Sequence, residues 1–246
     1  MSTADACAAR ANGTLLVVSP HCDDGVLGCG DLIRAHPGAR VVTVFAAGPE
    51  RYGAPSDWDR RAGFGPGEDV MAARRAEDRD ALAMLGATPC WLPFRDAQYA
   101  PPPRSGLLAH DLAGLIEAAD PSWVALPLGL FHSDHALVHA AALQVLREDP
   151  ARRTRTWLAY ADALYRRLPG LVAERLAGLA ADGVQTTPWP VSGSPASLAK
   201  RRAIACYASQ LRALESPGRP GFEDALLPER YWRLAVAANG RAAGGP

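Results

Sequence analysis

Histidine and aspartate occur together in two short stretches of the chain. The first stretch, PHCDD, contains His21, Asp23 and Asp24. Adjacent carboxylates repel each other, but a bound dication favours the ionised form of both. Imidazole nitrogens and carboxylate oxygens are also the ligands of catalytic zinc sites that keep one position open. This stretch therefore predicts a metal site in which His21 and Asp24 are ligands and Asp23 is free to act as a base.

Three other interpretations of this stretch stay open. Its glycines, in GVLGCG, follow an apolar run but have the spacing GxxGxG rather than the dinucleotide-binding spacing GxGxxG. Cys22 stands at a strand-to-helix turn, as hydrolase nucleophiles do, although the neighbouring carboxylates oppose formation of a thiolate. One of the two aspartates could cap the following helix, but a cap would leave His21 unexplained.

The second stretch, HSDH, occupies residues 132–135 and also lies between an apolar run and a helical pattern. Together with His21 and Asp24, His135 would give two nitrogens and one oxygen, a set typical of catalytic zinc. His139 is a rival ligand, because a residue four positions after His135 lies on the same helical face. No acidic residue accompanies this pair within the helix. His139 is therefore expected to pack against the sheet, or to form a hydrogen bond to a metal ligand, rather than to bind the metal itself.

Alternating strand and helix patterns place both stretches at one edge of a sheet. Four nearly continuous apolar runs are typical of parallel strands buried on both faces: residues 14–19, 40–46, 90–94 and 122–127. The segments between them have helical spacing and end at glycine or proline. A helix from about 135 to 147, a strand near 155–160 and a helix from about 195 to 214 extend the pattern. We therefore predict an α/β fold with a Rossmann-like open, mostly parallel sheet, helices on both faces, and an active site at the carboxyl ends of the strands.

Length and charge limit the classes of function. The 246 residues suffice for one domain, which we expect over residues 13–238, between a flexible N-terminus (1–12) and a flexible tail (239–246). The 26 basic and 26 acidic residues cancel, which argues against nucleic acid as a partner. Apolar runs are shorter than the roughly 20 residues of a membrane helix and no signal pattern is present, so we expect a cytoplasmic protein without a membrane anchor. The five cysteines include no CxxC pair and indicate neither a disulfide framework nor a zinc knuckle.

Four motifs resemble, in the same order along the chain, those of the LmbE-like or PIG-L family of zinc-dependent N-acetylglucosaminyl deacetylases. PHCDD resembles the family's HPDDE motif, and HSDH resembles its HPDH motif. RRAEDRDALAMLG is similar to the family's R-x-x-E helix, and LAKRRAIACYASQ is similar to its late K-x-x-A…Y-x-SQ segment. The resemblance covers roughly residues 14–210 and departs at two positions, where Cys22 and Gly25 replace the usual proline and glutamate.

The resemblance implies a role for each residue of these motifs. It implies that zinc, or another divalent metal, is bound by three ligands: His21, Asp24 and His135. Asp23 would be the general base, and a charged His132 would stabilise the tetrahedral oxyanion, with Asp134 orienting the His132 ring. Arg74 and Asp96 match positions that hold substrate in relatives. The two departures remove neither a ligand nor the base.

The function implied by the resemblance is a metal-dependent hydrolase. It would remove an N-acyl group, in particular N-acetyl, from an amino sugar or a sugar-containing small metabolite, with Asp23 activating a water molecule. Two alternatives remain: a cysteine amidase that uses Cys22, and a metal-containing binding protein whose catalysis is reduced because Gly25 stands where the family has glutamate. The partner in each case is a small N-acylated molecule, and a homo-oligomer is compatible with the sequence.

Overall fold

The computed structural model describes residues 14–191 and 193–236. The two segments expected to be flexible, 1–12 and 239–246, lie outside the described residues. The single domain bounded at residues 13 and 238 stays a prediction. Among the described residues, every helix is too short or too polar to span a lipid bilayer.

The chain forms an α/β fold on a seven-stranded sheet, which confirms the predicted fold class. The strands are β1 (Leu15–Ser19), β2 (Arg40–Thr43), β3 (Thr88–Trp91), β4 (Trp123–Pro127), β5 (Thr156–Tyr160), β6 (Val184–Trp189) and β7 (Tyr231–Val236). Their order across the sheet is β3-β2-β1-β4-β5-β7-β6. The first five strands are parallel, and β7 runs antiparallel to both of its neighbours.

Helices cover both faces of the sheet. Within the described residues these are α1 (Asp24–Ala35), α2 (Asp57–Arg61), α3 (Val70–Met84), α4 (Ser105–Ala119), α5 (Ser133–Glu148), α6 (Leu171–Ala181), α7 (Leu198–Ala205), α8 (Ala208–Leu214) and a 3₁₀ helix (Glu223–Leu226). Side chains alternate along β1, so Leu16 and Val18 belong to the apolar cluster that includes residues of α4, α5 and α6, whereas Leu15 and Val17 belong to the cluster that includes residues of α1, α3 and α7. Burial of each such side chain contributes roughly 1.5–3 kcal/mol, which is why the central strand is apolar on both faces.

The strand order brings the two His/Asp stretches together. β1 pairs with β2 on one side and with β4 on the other, and the chain proceeds outward in opposite directions from these two central strands. Such a reversal of strand order opens a crevice at the carboxyl ends of the strands. The stretch after β1 and the stretch after β4 therefore face each other across this crevice.

The glycines of the first stretch allow close helix packing. A β-carbon at Gly28 would lie 2.7 Å from the ring of Tyr160 on β5, and one at Gly30 would lie 2.7 Å from Cγ of Lys200 on α7. Both distances are shorter than any ordinary carbon contact, so these positions of α1 require glycine. Packing thus explains the GxxGxG pattern, which the dinucleotide interpretation attributed to a phosphate.

The structure departs from the predicted elements mainly after β5. Three elements were not predicted from the sequence: α6, β6 and β7. One helix was predicted over residues 195–214, where the chain forms α7 and α8 with a break at residues 206–207. β6 was not predicted for a physical reason: only Val184 of its six residues is buried and the strand contains Pro188, so its sequence is typical of a loop.

Three cysteines of the described residues are free thiols: Cys22, Cys29 and Cys206.

Candidate active site

The turn after β1 is shaped by Ser19, the last residue of that strand. The Ser19 hydroxyl donates to the carbonyl of His21 (2.6 Å) and accepts from the backbone N–H of Gly25 (2.8 Å). A β-carbon at Gly25 would lie 3.0 Å from Cγ1 of Val41 and 3.2 Å from Oγ of Ser19. This packing leaves little room for a side chain where the resembling motifs carry glutamate.

Three side chains converge at the bottom of the crevice. Oδ2 of Asp24 lies 3.1 Å from Nδ1 of His21 and 3.1 Å from Nε2 of His135. The three atoms lie within 4.8 Å of one another, an arrangement that could hold a metal ion. The two imidazoles and the carboxylate are therefore brought together as the spacing predicted.

The far nitrogens of both histidines contact carboxylates. Nε2 of His21 donates to Oδ2 of Asp134 (3.1 Å), and Nδ1 of His135 donates to Oδ1 of Asp162 (2.6 Å). Asp162 is itself held by the backbone N–H of Leu130 (3.1 Å). Metal-ligating histidines typically donate their other N–H to a carboxylate in this way. The other nitrogen of each ring faces Asp24, so a metal ion bound there would take the place of a proton on each ring.

The electrostatics of the group also favour a cation. Burial alone lowers the pKa of His135, but Asp24 and Asp162 outweigh it and raise the pKa to about 9. In His21, hydrogen bonds to Asp134 and Asp24 likewise overcome burial and hold the pKa well above its ordinary value. Burial raises the pKa of Asp24, but the two histidines lower it far more. A divalent cation fits this donor set, because it replaces the protons that the histidines otherwise retain.

Asp134 contacts a different histidine from the one expected. Its carboxylate accepts from His21 and from the backbone N–H of Ala97 (3.2 Å), whereas only its backbone N–H reaches Nδ1 of His132 (3.2 Å). The carboxylate thus orients the ring of His21, not the ring of His132 as the resemblance implied. Distances across the crevice cannot be inferred from the spacing within HSDH.

The ring of His132 completes a nearly equilateral triangle with the rings of His21 and His135, whose centroids are 5.3 Å apart. Its ring centroid is 5.3 Å from that of His21 and 5.4 Å from that of His135. Burial and the charges of these two rings lower the pKa of His132. Because Nδ1 accepts from Asp134, the ring proton is on Nε2. This geometry favours a neutral ring that donates through Nε2–H, in place of the charged ring that we expected.

Asp23 is buried beside the group without belonging to it. It precedes α1, but its side chain makes no capping hydrogen bond, which leaves the helix-cap interpretation without support for this residue. Burial and the charge of Asp24 raise the pKa of Asp23 to about 6. A carboxylate with a pKa near the working pH is suited to accept and return a proton.

Cys22 is buried and is a poor nucleophile. Only 2% of the residue is exposed, and burial, together with the charges of Asp78 and Asp23, raises the pKa of the thiol well above its ordinary value. Because the thiolate is the reactive form of cysteine, this environment disfavours the cysteine interpretation.

All eight residues predicted from the sequence line one cavity of about 280 Å³. Among them, Arg74 is buried and forms an ion pair with Asp59 (2.7 Å), while its Nε has no partner within the described residues. The carboxylate of Asp96 accepts from the backbone and side-chain N–H groups of Gln98 (2.9 and 2.8 Å). His139 lies apart from the group: it donates to the carbonyl of Pro127 (2.8 Å), and burial lowers its pKa to about 4.

The two remaining motifs hold one wall of the cavity. Glu77 on α3 accepts from the backbone N–H and the hydroxyl of Ser209 on α8 (2.8 and 2.7 Å). Tyr207 donates to Asp78 (2.8 Å) in the same helix pair, and burial raises the pKa of Asp78 to about 7. These bonds place Gln210, which lines the cavity.

Several residues of the site were not predicted from the sequence. Asp162 lies two residues after β5, and an acidic residue just after a buried strand is a candidate site residue. It was not predicted because no histidine stands beside it in the sequence. Three other residues that line the cavity belong to no motif: Trp58 on α2, and Tyr165 and Arg219 on loops.

Fold and site together define a class: an α/β protein with two histidines and an aspartate that could hold a metal ion, and a further buried carboxylate, at the carboxyl edge of its sheet. A family model described as PIG-L, GlcNAc-PI de-N-acetylase, matches residues 16–146, more than half of the chain. The chain belongs to the PIG-L family. A comparison with curated proteins found no match.

Solved structures of deacetylases share the fold along almost the whole chain. The A40926 pseudoaglycone deacetylase Dbv21 is 25% identical with a TM-score of 0.69, over 92% of this chain and 98% of that chain. The teicoplanin deacetylase Orf2, in a zinc-inhibited form, is 21% identical with a TM-score of 0.71, over 92% of this chain and 99% of that chain.

We expect Asp162→Asn to weaken metal binding by roughly 10- to 100-fold, because the amide holds the His135 ring less firmly and makes it a weaker ligand. A competition titration with a chelator measures this change. Asp149→Asn is the matched control: Asp149 is also buried and ion-paired, with Arg155, but lies outside the cavity and should leave metal affinity unchanged. Equal metal affinity in wild type and Asp162→Asn would refute the role of Asp162.

Proposed function

We propose that this protein is a zinc-dependent N-deacetylase acting on an N-acetylated amino sugar or a small molecule that contains one. The observation that carries the proposal is the convergence of His21, Asp24 and His135 beside the buried carboxylate of Asp23, with each histidine also bonded to a second carboxylate. Family membership supports the reaction class, and the zinc-inhibited form of a structural relative supports the metal.

The residues of the chain divide the chemistry between them. His21, Asp24 and His135 would hold the metal, which when bound polarises the amide carbonyl and acidifies water. Asp23 accepts the proton of the attacking water. His132 donates its Nε2–H to the oxygen that becomes negatively charged as the carbonyl carbon turns tetrahedral.

Collapse of the tetrahedral carbon then breaks the C–N bond. The departing amine takes up a proton, and Asp23 holds the proton it received from water, so the same carboxyl serves as base and then as acid. The products are acetate and the free amine.

The substrate is inferred from the cavity and from the relatives. A cavity of about 280 Å³ is just below the range of roughly 300–1,000 Å³ for ligand pockets, which suits a single sugar ring at the reacting end. Arg74 and Asp96 are the polar groups on its wall that we propose to contact this ring.

The alternatives have less support. The raised pKa of Cys22 argues against a cysteine amidase, and a binding protein has no use for a buried base such as Asp23. A cytoplasmic location stays a prediction.

The proposal is tested by measuring acetate and free amine released from N-acetylglucosamine and its glycosides. We expect the two products in equal amounts, and we expect Cys22→Ala to retain most of the activity because the thiol is not the nucleophile. Loss of turnover in Cys22→Ala with metal still bound would instead favour nucleophilic catalysis by the thiol.

A further inference from the structure

Phe131 presents an exposed aromatic ring beside the candidate active site. It lies between Leu130, which is buried, and His132, which lines the cavity. Phe131 is 72% exposed, more than any other large apolar residue that the structure describes. Burial in the core therefore does not explain why this position carries phenylalanine.

The backbone of Phe131 is also unusual. Its φ is +60°, a left-handed conformation that is uncommon for bulky residues. Leu164, whose φ is +75°, shows the same feature directly before Tyr165. Backbone strain of this kind persists mostly at functional sites. Exposure and strain both disfavour phenylalanine at position 131, which points to a role in contacting a ligand.

Phe131 and Tyr165 together form an aromatic wall that extends from His135 to the surface. Their rings stack with centroids 5.2 Å apart and an interplanar angle of 29°. The Tyr165 ring also meets the His135 ring edge-on, with centroids 5.4 Å apart, and Tyr165 lines the cavity. The wall thus runs from a candidate metal ligand outward to the exposed ring of Phe131.

We propose that Phe131 and Tyr165 form a subsite for an aromatic group of the substrate. The proposal rests on the deacetylase function and extends it: the polar inner end takes the N-acetylated sugar, and the aromatic outer end takes an aryl aglycone attached to that sugar. A third ring stacks favourably on an existing offset pair, whereas a wholly polar glycoside would leave the Phe131 face in water.

The test compares the phenyl, cyclohexyl and methyl β-glycosides of N-acetylglucosamine. Their binding to zinc-loaded Asp23→Asn protein is measured by calorimetry, so that no turnover is needed. We expect the phenyl glycoside to bind about fivefold more tightly than the methyl glycoside, the usual contribution of one aromatic contact. Adding Phe131→Asn should remove this preference and leave binding of the methyl glycoside unchanged. Asparagine adopts left-handed backbone readily, so this substitution should not disturb folding.

Leu107→Asn, at an apolar residue of α4 that is also exposed (51%), is the matched control and should keep the preference. A preference for phenyl that survives Phe131→Asn would overturn the subsite, and equal binding of the cyclohexyl and phenyl glycosides would overturn its aromatic character. Binding that depends on Phe131, in a wild-type protein that releases no acetate, would support the subsite and refute the deacetylase function.

Discussion

Asp23→Asn is expected to lower the turnover number by a factor on the order of 10² to 10⁴, the usual contribution of a general base. The amide keeps the size of the side chain but cannot accept a proton from water. Because Asp23 lies outside the three-ligand group, the variant should retain its metal. Turnover is measured as acetate release, and metal content by elemental analysis of the same sample.

The pH dependence gives a second measure of the same residue. Burial and the charge of Asp24 raise the pKa of Asp23 to about 6, and a bound cation opposes that shift. The base is active only when ionised, so kcat/KM of the wild type should rise with pH along an acidic limb at or below about pH 6. This limb should disappear in Asp23→Asn, although ionisation of the attacking water can contribute in the same range.

Asp69→Asn is the matched control for Asp23→Asn. Asp69 also stands directly before a helix, but it caps α3 through a bond from the backbone N–H of Ala72 (2.9 Å). Asparagine caps helices about as well as aspartate, so this control should keep full activity. An undiminished rate in metal-loaded Asp23→Asn would contradict the assigned role and return Asp23 to a structural one.

His135→Ala is expected to abolish metal binding and turnover together. The variant loses one of three ligands and leaves Asp162 without its partner, so metal affinity should fall by more than the roughly 10- to 100-fold cost of losing a supporting contact alone. His21→Ala and Asp24→Ala should behave in the same way. Metal content after gel filtration and the dissociation constant from chelator competition measure this loss.

His139→Ala provides the comparison within the same helix. His139 is also a buried histidine of α5, but its Nδ1 donates to a backbone carbonyl, and we expect the variant to keep its metal. If His139→Ala empties the site while His21→Ala leaves it filled, the HxxxH pair is the metal site and the assigned ligands are wrong.

The sequence predicted the half of the fold that positions the site. Strands β1, β2 and β4 are buried at every or almost every residue, and such continuous apolar runs are readily recognised. Because these strands are parallel, their carboxyl ends lie at the same edge of the sheet. The eight residues predicted for the site therefore line one cavity. β6 was not predicted because it has the pattern of an exposed segment. β7 was also not predicted, although Tyr231, Trp232 and Leu234 are buried.

Contacts between distant segments could not be predicted. Asp134 and His21 are separated by 113 positions, and nothing in either motif states which histidine the carboxylate faces. Asp162 had the right position after a strand but no neighbouring ligand to mark it. Phe131 was unremarkable as one apolar residue in a run, since only its exposure and its positive φ set it apart.

A stepwise zinc titration of chelator-treated protein, with acetate release measured at each step, tests the central claim most directly. We expect almost no release without metal and a rise in proportion to added zinc that ends at about one zinc per chain, as a single three-ligand site requires. Full acetate release from metal-free protein would contradict the claim, as would an unchanged titration curve in His135→Ala.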